Sequence, residues 1–149
     1  MVFTDNQYLK TAEEDFEAAE ILLGHKYYDQ VASLCYIATI KYLKAVLETL
    51  YTRSESVTLM FTEDNLRLLG KIHEKFPAFE IEEIECKWMN SVYAKANCTD
   101  GVHIIMPKQT AVEALDITSK FRKACKAQLK VAAAEKKEKE HAQQEAQTK

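Results

Sequence analysis

A chain of 149 residues, 47% apolar and 29% charged, has the balance of one folded domain. It is long enough to bury a core without disulfides or a metal. Its net charge of −3 excludes a global basic field aimed at nucleic acid, while leaving room for a local basic patch. The four cysteines, Cys35, Cys86, Cys98 and Cys125, form no CxxC pair. Three of them fall inside helical patterns, where buried free thiols are expected rather than zinc ligands or bridges. No metal or cofactor signature is present. The first residues show no basic stretch followed by an apolar one, so no signal peptide is expected, and a reducing cytoplasm fits.

Only three glycines and two prolines interrupt the chain, so long helices are expected. The first is predicted from about Asp5 to Leu23, with Thr4 and Gln7 at capping-box spacing. Leu9, Ala12, Phe16, Ala19 and Leu23 form its apolar stripe, and Gly24 reads as its stop. The second is predicted from about Asp29 to Tyr51. It is apolar on two faces, one through Val31, Leu34, Cys35 and Ala38, the other through Ile37, Ile40, Leu43, Leu47 and Leu50. Such a helix is central in a bundle or shared with a second subunit.

Residues 54–61 read as a connector. Val57, Leu59 and Phe61 alternate there, which predicts partly extended backbone. A third helix is predicted from about Glu63 to Lys75, capped by Thr62, with Leu66, Leu69, Ile72 and Phe76 inward. Beyond Pro77, a fourth is predicted from about Glu80 to Ala96, with Ile81, Ile84, Trp88, Val92 and Tyr93 inward. Asn97 to Gly101 reads as a loop with an Asp100-Gly101 turn. The last helix begins near Pro107, a favoured first-turn residue. Ala111, Ala114, Leu115, Thr118, Phe121, Cys125 and Leu129 repeat along it at helical spacing. After Val131 no apolar side chain exceeds alanine. Residues 1–130 are therefore read as a helical bundle, and 131–149 as a charged helical or disordered tail.

No Gly-rich phosphate loop, paired-carboxylate pattern or supported Ser-His-Asp order is present. What remains is a short set of polar candidates. Lys41 and Lys44 share a face of helix two with Tyr42 and Tyr51 nearby, and as point charges they suit phosphates; the alternative is that their stems run along apolar surface. His25 stands in the turn beside Lys26, Tyr27 and Tyr28, a cluster that suits base contact or simple packing over helix ends. His103 lies alone in the loop before the last helix. Arg67 and His73 are separated by five residues; a His can shuttle a proton near neutral pH and an Arg can stabilise charge on a phosphate. On a regular helix they lie about 600° apart, so they diverge.

The order of these features resembles the HEPN domain family across about residues 8–130. The resemblance rests on Asp15-Phe16 and Ile21-Leu22-Leu23 in helix one, and the Tyr27-Tyr28 turn. It continues with Ala38, Lys41, Leu43, Lys44 and Ala45 in helix two, Asn65-Leu66 before Leu68-Leu69, Tyr93 late in helix four, and Ala111 with Ala114 in the last helix. It implies an all-α up-and-down bundle of four to five helices, commonly homodimeric. It also implies nucleotide or RNA association, and in some members a nucleotidyltransferase partner of toxin–antitoxin type. The chain departs from the family pattern at three places. Ile40 stands where a Glu is frequent, Asp64 where a His often precedes Asn-Leu, and Val92-Tyr93-Ala94 where an Arg-Tyr-Pro-like run is common. A non-catalytic binding module is the reading this favours. The alternatives are an endoribonuclease using Arg67 and His73, and a purely structural homodimer.

Overall fold

The computed structural model describes residues 6–97 and 106–147, and among them the regular structure is six α-helices. Thr4, Cys98, the Asp100-Gly101 turn and His103 lie outside the described residues.

Helix α1 spans Gln7–Gly24. Its cap is Asn6, whose Oδ1 accepts from the Leu9 amide at 3.1 Å while Nδ2 donates to the Ala45 carbonyl at 3.1 Å. One side chain thus starts α1 and fastens it to α2, Tyr28–Leu50. The turn between them is closed by amides of Lys26 and Tyr27 donating to the carbonyls of Leu23 and Leu22. The left-handed residue this closure requires is Lys26, with φ of 64°, and not Gly24, which stays helical. Ala12 and Ala19 are fully buried, so α1 approaches α2 closely along its small-residue stripe.

Helix α2 is the central element, packing against all five others. Its second apolar face, which the sequence left open to the core or to a second subunit, is largely covered within the chain itself. Ile40, Leu43 and Leu47 are buried in one cluster with Leu68, Leu69 and Ile72 of α4 and Cys86 of α5. Only Ile37 on that face is exposed, at 38%.

The expected connector folds into a further helix, α3, Arg53–Met60. Its origin is local: Thr52 Oγ1 accepts from the Glu55 amide, and the Glu55 carboxylate accepts from the Thr52 amide at 2.8 Å. The Val57–Leu59–Phe61 alternation is not a strand signal here. Leu59 alone of the three turns inward, and Phe61 is 84% exposed.

Helix α4 spans Asn65–Lys75 and is capped by Asp64 rather than Thr62, through Oδ1 to the amides of Leu66 and Arg67. A carboxylate there also complements the helix dipole. Asn65 is buried, donates to the Cys86 carbonyl and accepts from Asn90, which ties α4 to α5. Helix α5, Glu83–Ala96, starts three residues later than expected, because Phe79 and Ile81 are tucked into the core before it begins. Its inward residues are Cys86, Met89 and Val92, whereas Ile84 points out at 70% exposure and Trp88 is half-buried.

Helix α6, Lys108–Gln147, buries Ala111, Ala114, Leu115, Thr118, Phe121, Ala124, Cys125 and Gln128 against α2, α1 and α5. It continues as a helix through the charged segment after Val131, where nearly every residue is exposed. The thiols of Cys35, Cys86 and Cys125 are free and buried, and desolvation pushes each up to about 12, so they stay protonated and unreactive at neutral pH.

Candidate functional site

The candidates from the sequence separate in space. Lys41 reaches across to α1 and pairs with Asp15 at 2.6 Å. Lys44 turns another way. It is 5% exposed, pairs with Glu63 at 2.9 Å and lies 5.8 Å from the centre of the Tyr8 ring. Both lysines are therefore engaged in holding α2 to its neighbours. His25 is exposed and stacked on Tyr27, while Tyr28 packs into the core beside Trp88. Arg67 and His73 are not brought together. Arg67 faces α3, whereas the His73 ring meets the edge of Phe79 and its Nε2 donates to the Phe79 carbonyl at 3.1 Å. Two positions where the family pattern differs are structural in this chain, since Ile40 is core and Asp64 is a helix cap.

Three charged groups converge instead where α1, α2 and α6 meet. Glu13 accepts from Arg122 Nε at 2.7 Å, from the Tyr42 hydroxyl at 2.8 Å and from Lys126 Nζ at 3.2 Å. Desolvation alone would raise the Glu13 carboxyl, but hydrogen bonds from Arg122, Tyr42 and Lys126 outweigh it and hold it below the ordinary 4.5. Arg122 also lies over the Phe16 ring, 5.6 Å from its centre. Tyr42 is almost fully buried, and its phenol is raised first by desolvation and then by the Glu13 carboxylate. At this hub one carboxylate holds both cations, Arg122 and Lys126.

Beyond Lys126 the situation changes. As α6 runs past the start of α1 and the end of α2, the three helices border an open cleft of about 810 Å³. That volume lies within the range of small-molecule sites. Its floor is Leu9, Leu129, Ala132 and Ala133, and its rim carries Lys126, Lys130, Lys136 and Lys139 against Glu48 and Glu135. Lys130 and Lys139 make no ion pair among the described residues. Desolvation raises the Glu48 carboxyl, with Arg53 opposing, so this one carboxylate at the α2 end is held less firmly ionised than usual.

A second, smaller pocket of about 270 Å³ lies beside the same end of α2, between α3 and α4, with Arg67, Lys71 and Lys75 on its wall. The Arg67-x₃-Lys71-x₃-Lys75 spacing was visible in the sequence as a one-face row. The cleft was not, because it joins residues 6–9, 48–49 and 126–139, which only the fold brings together. No group of three or more His, Cys, Asp or Glu side chains suited to a metal ion occurs among the described residues, and no described helix is long and apolar enough to cross a membrane.

The architecture places the chain in the class of all-α helical bundles. The HEPN domain family model matches residues 6–128, the whole bundle, and the chain belongs to that family. No curated protein and no solved structure matches it.

Proposed function

We propose that this chain is a non-catalytic HEPN module that binds a phosphate-bearing ligand, a nucleotide or RNA, in the cleft between α1, α2 and α6. The observation that supports this reading most is the lysine-rimmed, apolar-floored cleft on a HEPN bundle. Ammonium groups on the rim supply point charges for a phosphate, and the leucine and alanine floor offers a partly exposed apolar surface to a base or sugar. Arg67 and His73 face different neighbours, which counts against these two as a cleaving pair, since a proton shuttle must reach the atom it serves. A cytoplasmic location, a homodimer and a nucleotidyltransferase partner of toxin–antitoxin type belong to the same reading. The three free buried thiols are in keeping with reducing surroundings.

Titration calorimetry with AMP, UMP and a short RNA tests it, on wild type and on Lys130→Ala/Lys139→Ala. Saturable binding that weakens at least tenfold in the double variant, with the RNA recovered intact, is the expected result. No heat with any of the three ligands, or binding indifferent to the double variant, overturns the assignment.

A further inference from the structure

We infer that the ligand is a single nucleic-acid strand running from the α6 cleft across the end of α2 onto α4, rather than an isolated nucleotide. This rests on the phosphate-binding reading above and extends it to a second set of residues.

The two basic sites are neighbours. Glu48 and Thr49 line the cleft, and Tyr51 lines the α4 pocket. Glu48 lies in the last turn of α2, and Tyr51 is the residue that caps that end. Lys75 joins the two sides physically. Its Nζ donates to the Leu50 carbonyl at 3.1 Å and lies 4.1 Å from the centre of the Tyr51 ring. Arg53 stands at the same corner, close enough for its charge to act on Glu48.

The α4 row also has the pitch of a strand rather than of one phosphate. Arg67, Lys71 and Lys75 recur every four residues, a rise of about 6 Å per step. A lone phosphate is met by converging donors, whereas a row presents one cation after another to successive phosphates. Arg67 makes no ion pair among the described residues. Lys71 pairs with Glu74 at 3.4 Å and Lys75 with Glu55 at 3.8 Å, and both carboxylates are more than half exposed. Exposed pairs of this kind are weak and readily exchanged for a phosphate. The Glu13 hub offers no comparable surface, because its hydrogen bonds already engage Arg122 and Lys126.

Fluorescence anisotropy with labelled oligo-U of two, four, eight and twelve nucleotides, and with twelve-nucleotide oligo-dT, tests the strand directly. Affinity should rise at least tenfold from the dinucleotide to the twelve-mer. For single strands log Kobs falls with log salt by about 0.7 per contacted phosphate, so Arg67→Ala/Lys71→Ala should flatten the slope by about 1.4. Lys130→Ala/Lys139→Ala should flatten it by about the same amount. Oligo-dT should bind within about threefold of oligo-U, because the cations read the backbone. A twelve-mer no tighter than the dinucleotide, a slope unmoved by the α4 pair, or binding confined to RNA overturns the strand. If the α6 pair still controls binding of the short ligands in that case, the cleft assignment stands alone. If no oligonucleotide of any length binds, both fall together.

Discussion

The Glu13 hub and the α4 row are built from the same kinds of side chain and differ in what faces their cations. At the hub, Arg122 and Lys126 converge on one carboxylate that also holds the hydroxyl of buried Tyr42. On α4, the carboxylates that face Lys71 and Lys75 are exposed and at longer range, Lys75 being held besides by the Leu50 carbonyl and the Tyr51 ring, and Arg67 makes no ion pair among the described residues. The lesson is that the environment of a cation, not its presence in the sequence, separates a structural tie from a surface open to an anion. Lys126 stands at the border, paired with Glu13 on one side and lining the cleft on the other.

The contrast can be broken most forcefully at the hub. Glu13→Ala leaves the Tyr42 hydroxyl without its acceptor and releases two cations, and denaturant unfolding should show a loss of about 2 kcal/mol. Tyr42→Phe removes one hydrogen bond while keeping the packing, so its loss should be near 1 kcal/mol. The acid limb sharpens the same point. Because Glu13 is held below 4.5 in the fold, its contribution is fully present above that value and is lost as pH falls through the depressed one. Unfolding midpoints measured from pH 7 down to pH 3 should therefore fall less steeply for Glu13→Gln than for wild type. The smallest effect is expected on α4, where Arg67→Ala/Lys71→Ala should change stability by no more than about 0.5 kcal/mol. A loss there as large as that of Glu13→Ala would show that the row is structural after all.

Much of the fold was legible because it depends on local periodicity. The stripes of α1, α2 and α6 name their buried faces directly, and Ala12, Ala19, Phe121 and Cys125 are all inside as expected. Helix α3 was not, since its start lies in the Thr52–Glu55 exchange while its exposed Val57 and Phe61 imitate a strand. Lys44 misleads for a tertiary reason. A lysine on an apolar helix suits a phosphate only if nothing covers it, and here Tyr8 and Glu63 do. The α4 row could be found by spacing alone. The cleft could not, because it exists only where α6 overhangs the joined ends of α1 and α2.

The most direct test of the central claim is a ¹H–¹⁵N correlation map of the protein titrated with UMP. Saturable shifts are expected at Leu9, Thr49 and along Leu129–Lys139, with the amides around Glu13 and Tyr42 little changed. Shifts absent from that stretch, or concentrated around the hub, would contradict it.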